Sequence, residues 1–266
     1  MRRAGYSRSV VLATATLLAA GGFAAGRLNR ASGEQTQRGQ LISALGGELR
    51  PLALPRDHPA PVAVHLEGRL RTADGSLLPR VTRLELGLPG QGVLSTKGLP
   101  VCPARRLRNT RSVEALAACG PALVGRGQLE AVVALPGQDP IAVHARLLAF
   151  NARIGRRRAV LLHAGAASPP TAAVLPLLVS RGSGRFGKAL RGRIASALGP
   201  WPRLRRFEVT LFRRYDYRGS RRSYLSASCP IPASLTAGFF SFARVSYRFA
   251  GGAQIATGIA RSCRAR

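Results

Sequence analysis

The sequence predicts an all-β protein, an antiparallel β-sandwich or barrel-like sheet built from two related halves, with one short helix near residues 110–119. Three observations carry this reading. Apolar and polar residues alternate with period two in segment after segment, and Gly and Pro turns separate the segments at short spacing. Residues 64–103 resemble residues 188–230. Four cysteines form an even set, as in a chain stapled by disulfides.

At the N-terminus, Arg2, Arg3 and Arg8 precede an uncharged run from residue 9 to residue 26 that ends in small residues. Charge, then an apolar stretch, then a small-residue cleavage site is the pattern of a secretory signal, read here over residues 1–26. Cutting after Ala24, Ala25 or Gly26 leaves small residues beside the cut, and no cysteine follows to take a lipid. The alternative is an uncleaved N-terminal membrane anchor, because the run is near the shortest length that spans a bilayer. Residues 27–60 include "SGEQTQRGQ" and "RPLALPRDHPAPV" and read as a flexible polar and Pro-rich tether, with a short helix near residues 41–45. The β domain is expected over 61–266.

From there the alternation is clear. In "VAVHLEGRLR", Val62, Val64, Leu66, Gly68 and Leu70 face one way, and His65, Glu67, Arg69 and Arg71 the other. The same pattern recurs in "GQLEAVVAL" (Leu129, Ala131, Val133, Leu135), "IAVHARLLA" (Ile141, Val143, Ala145, Leu147), "RFEVTLF" (Phe207, Val209, Leu211) and "ARVSYRF" (Val245, Tyr247, Phe249). The helical exception is "TRSVEALAAC", with Asn109 or Thr110 as its cap and Gly120-Pro121 as its stop.

The repeat matches Gly68 with Gly192, Leu70 with Ile194, Leu84-Glu85-Leu86 with Phe207-Glu208-Val209, and Cys102-Pro103 with Cys229-Pro230. The two copies span about 61–154 and 171–266. Spacing alone leaves three pairings open for Cys102, Cys119, Cys229 and Cys263. A repeat in which each copy carries its own bond favours Cys102 with Cys119 and Cys229 with Cys263. No spacing is C-x-x-C, which leaves zinc and thiol-redox chemistry without support.

The stretch "GSGRFGKA", residues 182–189, comes within one residue of a phosphate-binding loop, but Ala189 stands where the Mg²⁺-binding hydroxyl belongs. Lys188 and Ala189 also align with Val64 and His65 of an ordinary strand. Neither a nucleotide nor any other cofactor is expected. His58, His65, His144 and His163 have no metal spacing and read as surface residues. Glu85 and Glu208 are repeat-related carboxylates beside Arg83 and Arg206, and read as surface ion pairs rather than a glycosidase pair. No catalytic residue and no metal ligand is assigned.

The formal charge is +30, and 39 of the 41 basic residues are Arg, spread along the whole chain. Such a field attracts polyanions. The best binding candidate is "FRRYDYRGSRRSYLSAS", in which Tyr215, Tyr217 and Tyr224 alternate with arginines around a turn at 218–220. Tyr215, Tyr217, Arg218, Arg221, Arg222 and Tyr224 would offer aromatic faces beside guanidinium groups. The competing reading is a hairpin with Tyr packed inside and Arg in water. An anionic cell-envelope polymer or lipid surface is the expected partner; nucleic acid is not read as a specific one, and no feature specifies an oligomer.

The run "YLSASCPIP…FFSFARVSYRFAGG…RSCR", with "GLPVCP" and "GPALVGRGQLEAVVALP" upstream, resembles a family of exported, uncharacterised β-rich proteins of high-GC actinobacteria. The resemblance covers roughly residues 60–266. It implies export, paired cysteines and β architecture, and it supplies no functional residue. The expectation is an exported, disulfide-stabilised, non-catalytic binding or structural protein of the cell envelope or extracellular space. The alternatives are a carrier of lipid or another apolar ligand, suggested by the unbroken apolar run "AAVLPLLV", and a secreted hydrolase of envelope polymers.

Overall fold

The structure, a computed structural model, describes residues 34–194 and 200–266. The signal or anchor read over residues 1–26, and the first part of the expected tether, lie outside the described residues. In chain order, β1 (Glu34–Arg38), β2 (Leu41–Arg50), β3 (Ala53–Leu54), β4 (Ala60–Pro61), β5 (Ala63–Thr72), β6 (Val81–Pro89) and β7 (Gly92–Leu94) precede the helix α1 (Ser112–Cys119). Then come β8 (Leu123–Val133), β9 (Ile141–Ile154), β10 (Arg157–Ala166), β11 (Thr171–Arg181), β12 (Phe186–Arg193) and β13 (Pro202–Leu211). The chain finishes with β14 (Arg214–Tyr217), β15 (Ser220–Ser223), β16 (Leu225–Ala227), β17 (Ala237–Phe249) and β18 (Gln254–Ala265).

Thirteen strands form one sheet in the order β1-β2-β5-β13-β8-β9-β10-β11-β12-β6-β17-β18-β3, antiparallel throughout except for the parallel β18–β3 pair. The sheet curls until its ends meet. Thr257 Oγ1 on β18 donates to Ser43 O on β2 at 3.1 Å, Arg261 Nε donates to Gly47 O at 2.6 Å, and Glu34 on β1 accepts from Ala260 N at 3.1 Å. These side-chain bonds join β18 to β2 and β1.

The sheet repeats itself. The first six long strands are β1, β2, β5, β6, β8 and β9; the second six are β10, β11, β12, β13, β17 and β18. The sheet keeps each set in chain order except that β6 and β13 exchange places, so each set's fourth strand sits in the other's half. The registers correspond residue for residue: Phe207 lies opposite Gly68 and Val209 opposite Leu66, as Leu84 lies opposite Gly192 and Leu86 opposite Leu190. In this correspondence β1 and β2 match β10 and β11, so the related segments begin earlier than residues 61 and 171.

The tether expectation is therefore corrected for the described residues: 34–38 and 41–50 are strands, with no helix at 41–45. Leu41, Ser43, Leu45 and Leu49 all lie buried on one face of β2. The alternation was present in "LISALGGELR", but a serine and a glycine at inward positions hid it.

One core fills the curled sheet. Leu45, Leu66, Leu86, Leu147, Val160, Leu177, Leu190, Val209, Val245 and Phe249 point into it from both sets of strands. A second cluster lies outside, where α1 covers Leu148, Phe150 and Leu161 of β9 and β10. This explains the long apolar run of β11: Leu175 and Leu177 face the first cluster, while Val174 and Leu178 pack against the second. The helix starts differently from expectation. Neither Asn109 nor Thr110 caps it; Glu114 accepts from Arg111 N at 2.9 Å in a capping-box arrangement, while Thr110 Oγ1 donates to Leu107 O. Cys102 bonds Cys119 and Cys229 bonds Cys263. Both bonds fit folding in an oxidising compartment.

Candidate functional site

The arginine- and tyrosine-rich segment forms the hairpin β14–β15, with Tyr215 opposite Arg222, Asp216 opposite Arg221 and Tyr217 opposite Ser220. Arg218 and Gly219 make the two-residue turn at positive φ, 52° and 71°, the conformation that matches the twist of a tight hairpin. Alternation then sorts the side chains. Tyr215 turns inward and donates its hydroxyl to Lys97 O at 3.0 Å. Tyr224, just past β15, is buried in the core, and that burial raises its hydroxyl pKa.

Tyr217 stays half-buried, with the Arg218 and Arg222 guanidinium carbons each 5.5 Å from its ring centroid. It also lies against the backbone of Gly98, where a Cβ would collide with the ring. The hairpin thus brings Tyr217, Arg218 and Arg222 together and leaves Arg221 exposed, while Tyr215 and Tyr224 serve the core. No open aromatic platform of three rings exists. What remains is a cationic tip stiffened by cation–π contacts.

The other sequence candidates disperse. "GSGRFGKA" is the turn between antiparallel β11 and β12, closed by Gly182 N donating to Gly187 O and Phe186 N to Ser183 O. A strand follows it, where a phosphate loop would open a helix, and Lys188 Nζ donates to Gly92 O. His58 and His144 are exposed and His65 is half-buried, its Nδ1 3.0 Å from Thr210 Oγ1. His163 is not a surface residue: it is fully buried, with Nε2 2.8 Å from Thr110 O. Among the described residues no group of three or more His, Cys, Asp or Glu could hold a metal ion.

The carboxylates pair instead with arginine. Glu85 takes a two-pronged contact from Arg191 at 2.8 and 3.2 Å, rather than from its neighbour Arg83. Arg206 is gripped by three glutamates: Glu67 at 2.9 Å, Glu130 at 3.1 Å and Glu208 at 3.0 Å. Partial burial works to raise the pKa of Glu67, but hydrogen bonds from Arg69 and Arg206 outweigh it and hold the group below its ordinary 4.5. The sequence reading linked only Glu208 to Arg206. Glu67 and Glu130 lie on strands distant in sequence, and only the registers of β5 and β8 with β13 bring them together.

The interior is apolar. A cavity of about 90 Å³ is lined by leucines, valines and Phe207, and a second of about 40 Å³ lies beneath Tyr224 and Phe242. An apolar void of about 150 Å³ is what takes up a benzene-sized guest. The interior of this fold is therefore a packed core with small voids.

Comparison with known protein families, with curated proteins and with solved structures finds no significant match.

Proposed function

We propose that this chain is an exported, non-catalytic binding protein of the cell envelope or extracellular space, whose outer face engages anionic polymers or surfaces. The observation that carries this reading is how the charges are distributed. Among the described residues, six glutamates are tied in ion pairs to five arginines: Arg50, Arg69, Arg111, Arg191 and Arg206. The remaining carboxylates are far too few to balance a net charge of +30, so the field acts outward. The signal-like N-terminus, the two disulfides and the resemblance to exported actinobacterial proteins support an extracytoplasmic setting. Among the described residues, no helix is long and apolar enough to cross a membrane. The small interior voids direct the search for a binding surface away from the core.

The test is co-sedimentation of the full chain, disulfides formed, with isolated cell-wall fragments and with phosphatidylglycerol vesicles across a salt series. Retention on one of them at about 0.5 M salt, where exposed charges are screened within a few ångströms, supports a specific anionic partner. Equal loss from both as salt rises, or no binding at all, overturns the reading.

A further inference from the structure

The loop that follows β7 is held from both sides. Asn151 on β9 donates its side-chain amide to Pro100 O at 2.8 Å and to Leu99 O at 3.4 Å, and Arg158 on β10 donates to Leu94 O at 3.3 Å. From the other flank Tyr215 donates to Lys97 O, Tyr217 lies against Gly98, and Ser95 N donates to Tyr224 O. With its backbone engaged in this way the loop forms a fixed wall, ordered before any partner arrives. Between this wall and the β9–β10 hairpin lies an open cleft of about 670 Å³, whose lining includes Ser95, Thr96, Lys97, Arg153 and Arg158. Among the described residues that line it, none is a carboxylate.

Arg153 lies directly opposite Arg158 across β9 and β10. Both continue the inward face of Ala149 and Val160, but beyond the last layer of the core, and so they are exposed. Like charges directly opposite each other destabilise a sheet. Elsewhere in the same sheet an anion reconciles such a pair. Arg69 on β5 lies opposite Arg206 on β13, and a single oxygen of Glu67 accepts from Arg69 Nε at 2.6 Å and from Arg206 Nε at 2.9 Å. Among the described residues, no carboxylate pairs with Lys97, Arg153 or Arg158.

We propose that this cleft binds a phosphoryl group carried on a polyol, gripped by Arg153 and Arg158 as Glu67 is gripped by Arg69 and Arg206, with Lys97 as the third cation. The proposal rests on the anionic-partner reading above and names its site. A carboxylate has two oxygens and is satisfied by one guanidinium fork, whereas the oxygens of a phosphoryl group can be shared between two guanidinium groups and an ammonium. The cleft has room for more than the oxyanion. Ser95 and Thr96 line it with hydroxyls, each able to donate and to accept, which suits the hydroxyls of a polyol. The same chemistry occurs in a free phosphate ester and in the repeating unit of a wall polymer, and the experiment separates these sources.

The full chain, disulfides formed, is titrated calorimetrically with glycerol 3-phosphate, and with sulfate and glycerol at matched ionic strength. The ester is expected to bind roughly tenfold or more tighter than sulfate, as bonds to charged groups allow. Equal affinity for the ester and sulfate overturns the proposal. Arg153→Glu places a carboxylate opposite Arg158, as Glu85 stands opposite Arg191. It is expected to abolish ester binding while the melting temperature holds or rises, a combination that misfolding cannot produce. Lys97→Gln is expected to weaken binding several-fold, and Arg221→Gln on the hairpin to leave it unchanged. Unchanged affinity in both cleft variants sinks the proposal, even if co-sedimentation with envelope material persists and the broader reading stands. Ester binding that requires Arg153, without any co-sedimentation, sinks the broader reading and leaves the cleft. Wall fragments stripped of phosphodiester-linked polymer by cold hydrofluoric acid separate the sources. Retention lost both on stripping and in Arg153→Glu assigns the site to the polymer; ester binding with retention indifferent to stripping assigns it to the free ester.

Discussion

Arg206 and Arg83 occupy equivalent positions in the two halves, on strands of matching register, yet their surroundings are opposite in sign. Around Arg206, Glu67, Glu130 and Glu208 converge and close the row as an internal ion cluster. Around Arg83, the corresponding positions are Arg191, Arg248 and Glu85, and the Glu85 carboxylate is held by Arg191. One backbone arrangement thus supports two different charge patterns. The backbone sets where side chains meet, and the choice at two positions, glutamate or arginine, decides how many carboxylates the central arginine meets.

Several perturbations separate the two halves, and the most severe concerns the part of the first half that resembles a linker. A chain beginning at residue 61 lacks β1 and β2, the counterparts of β10 and β11, and loses Leu41, Ile42, Leu45 and Leu49 from the core. It is expected to show no cooperative thermal transition by circular dichroism. If residues 61–266 melt cooperatively at the temperature of the longer chain, β1 and β2 are an appendage and the correspondence loses its meaning. The glycines opposite Phe207 and Leu84 come next. A Cβ at Gly68 would collide with the Phe207 ring and the Tyr247 hydroxyl, whereas at Gly192 it meets the flexible end of Leu177. In denaturant titrations Gly68→Ala is expected to cost about 3 kcal/mol and Gly192→Ala about 1 kcal/mol, within the usual range for overpacking. Equal costs would show that the two halves pack alike at this point.

The charged rows give smaller effects of opposite sign. Arg206→Gln leaves three glutamates facing one another and is expected to destabilise by about 1–2 kcal/mol, given three partly exposed pairs worth at most about 1 kcal/mol each. The acid dependence sharpens this. Because the folded state holds the Glu67 pKa below 4.5, the unfolded chain binds the proton more readily there. Its stabilising contribution is full above pH 4.5 and is lost as pH falls through the folded value. Melting curves between pH 7 and pH 3 should therefore show a shallower acid loss in Arg206→Gln than in the parent chain; identical slopes would mean that Arg206 does not hold Glu67. Arg83→Gln relieves repulsion and should stabilise by about 0.5 kcal/mol in low salt, the gain vanishing at high salt. A measurable loss of stability instead would mean that Arg83 has a structural partner like that of Arg206.

Legibility in the sequence followed the range over which each signal acts. Strands such as β5, β13 and β17 were readable because alternation is a property of neighbouring residues. β2 was missed because Ser43 and Gly47 sit at inward positions where an apolar residue was expected; Phe242 packs where a Cβ of residue 47 would lie, and the Ser43 hydroxyl is buried with no hydrogen-bond partner among the described residues. The hairpin β14–β15 was placed correctly from its turn, but the fate of its tyrosines was not. Tyr215 and Tyr224 are drawn inward by partners at Lys97 and in the core, which no local pattern records.

By itself, then, the sequence determined the β class, the short helix, the charge and the kinship of its two segments, because periodicity, composition and similarity are all written along the chain. Only the tertiary structure decided that β6 and β13 exchange places, that three glutamates meet at Arg206, and that three arginines line up through Arg83. Those outcomes depend on strand register, and register is fixed by how two faces of a closed sheet pack together. A shift of one residue would turn every one of these side chains to the other face.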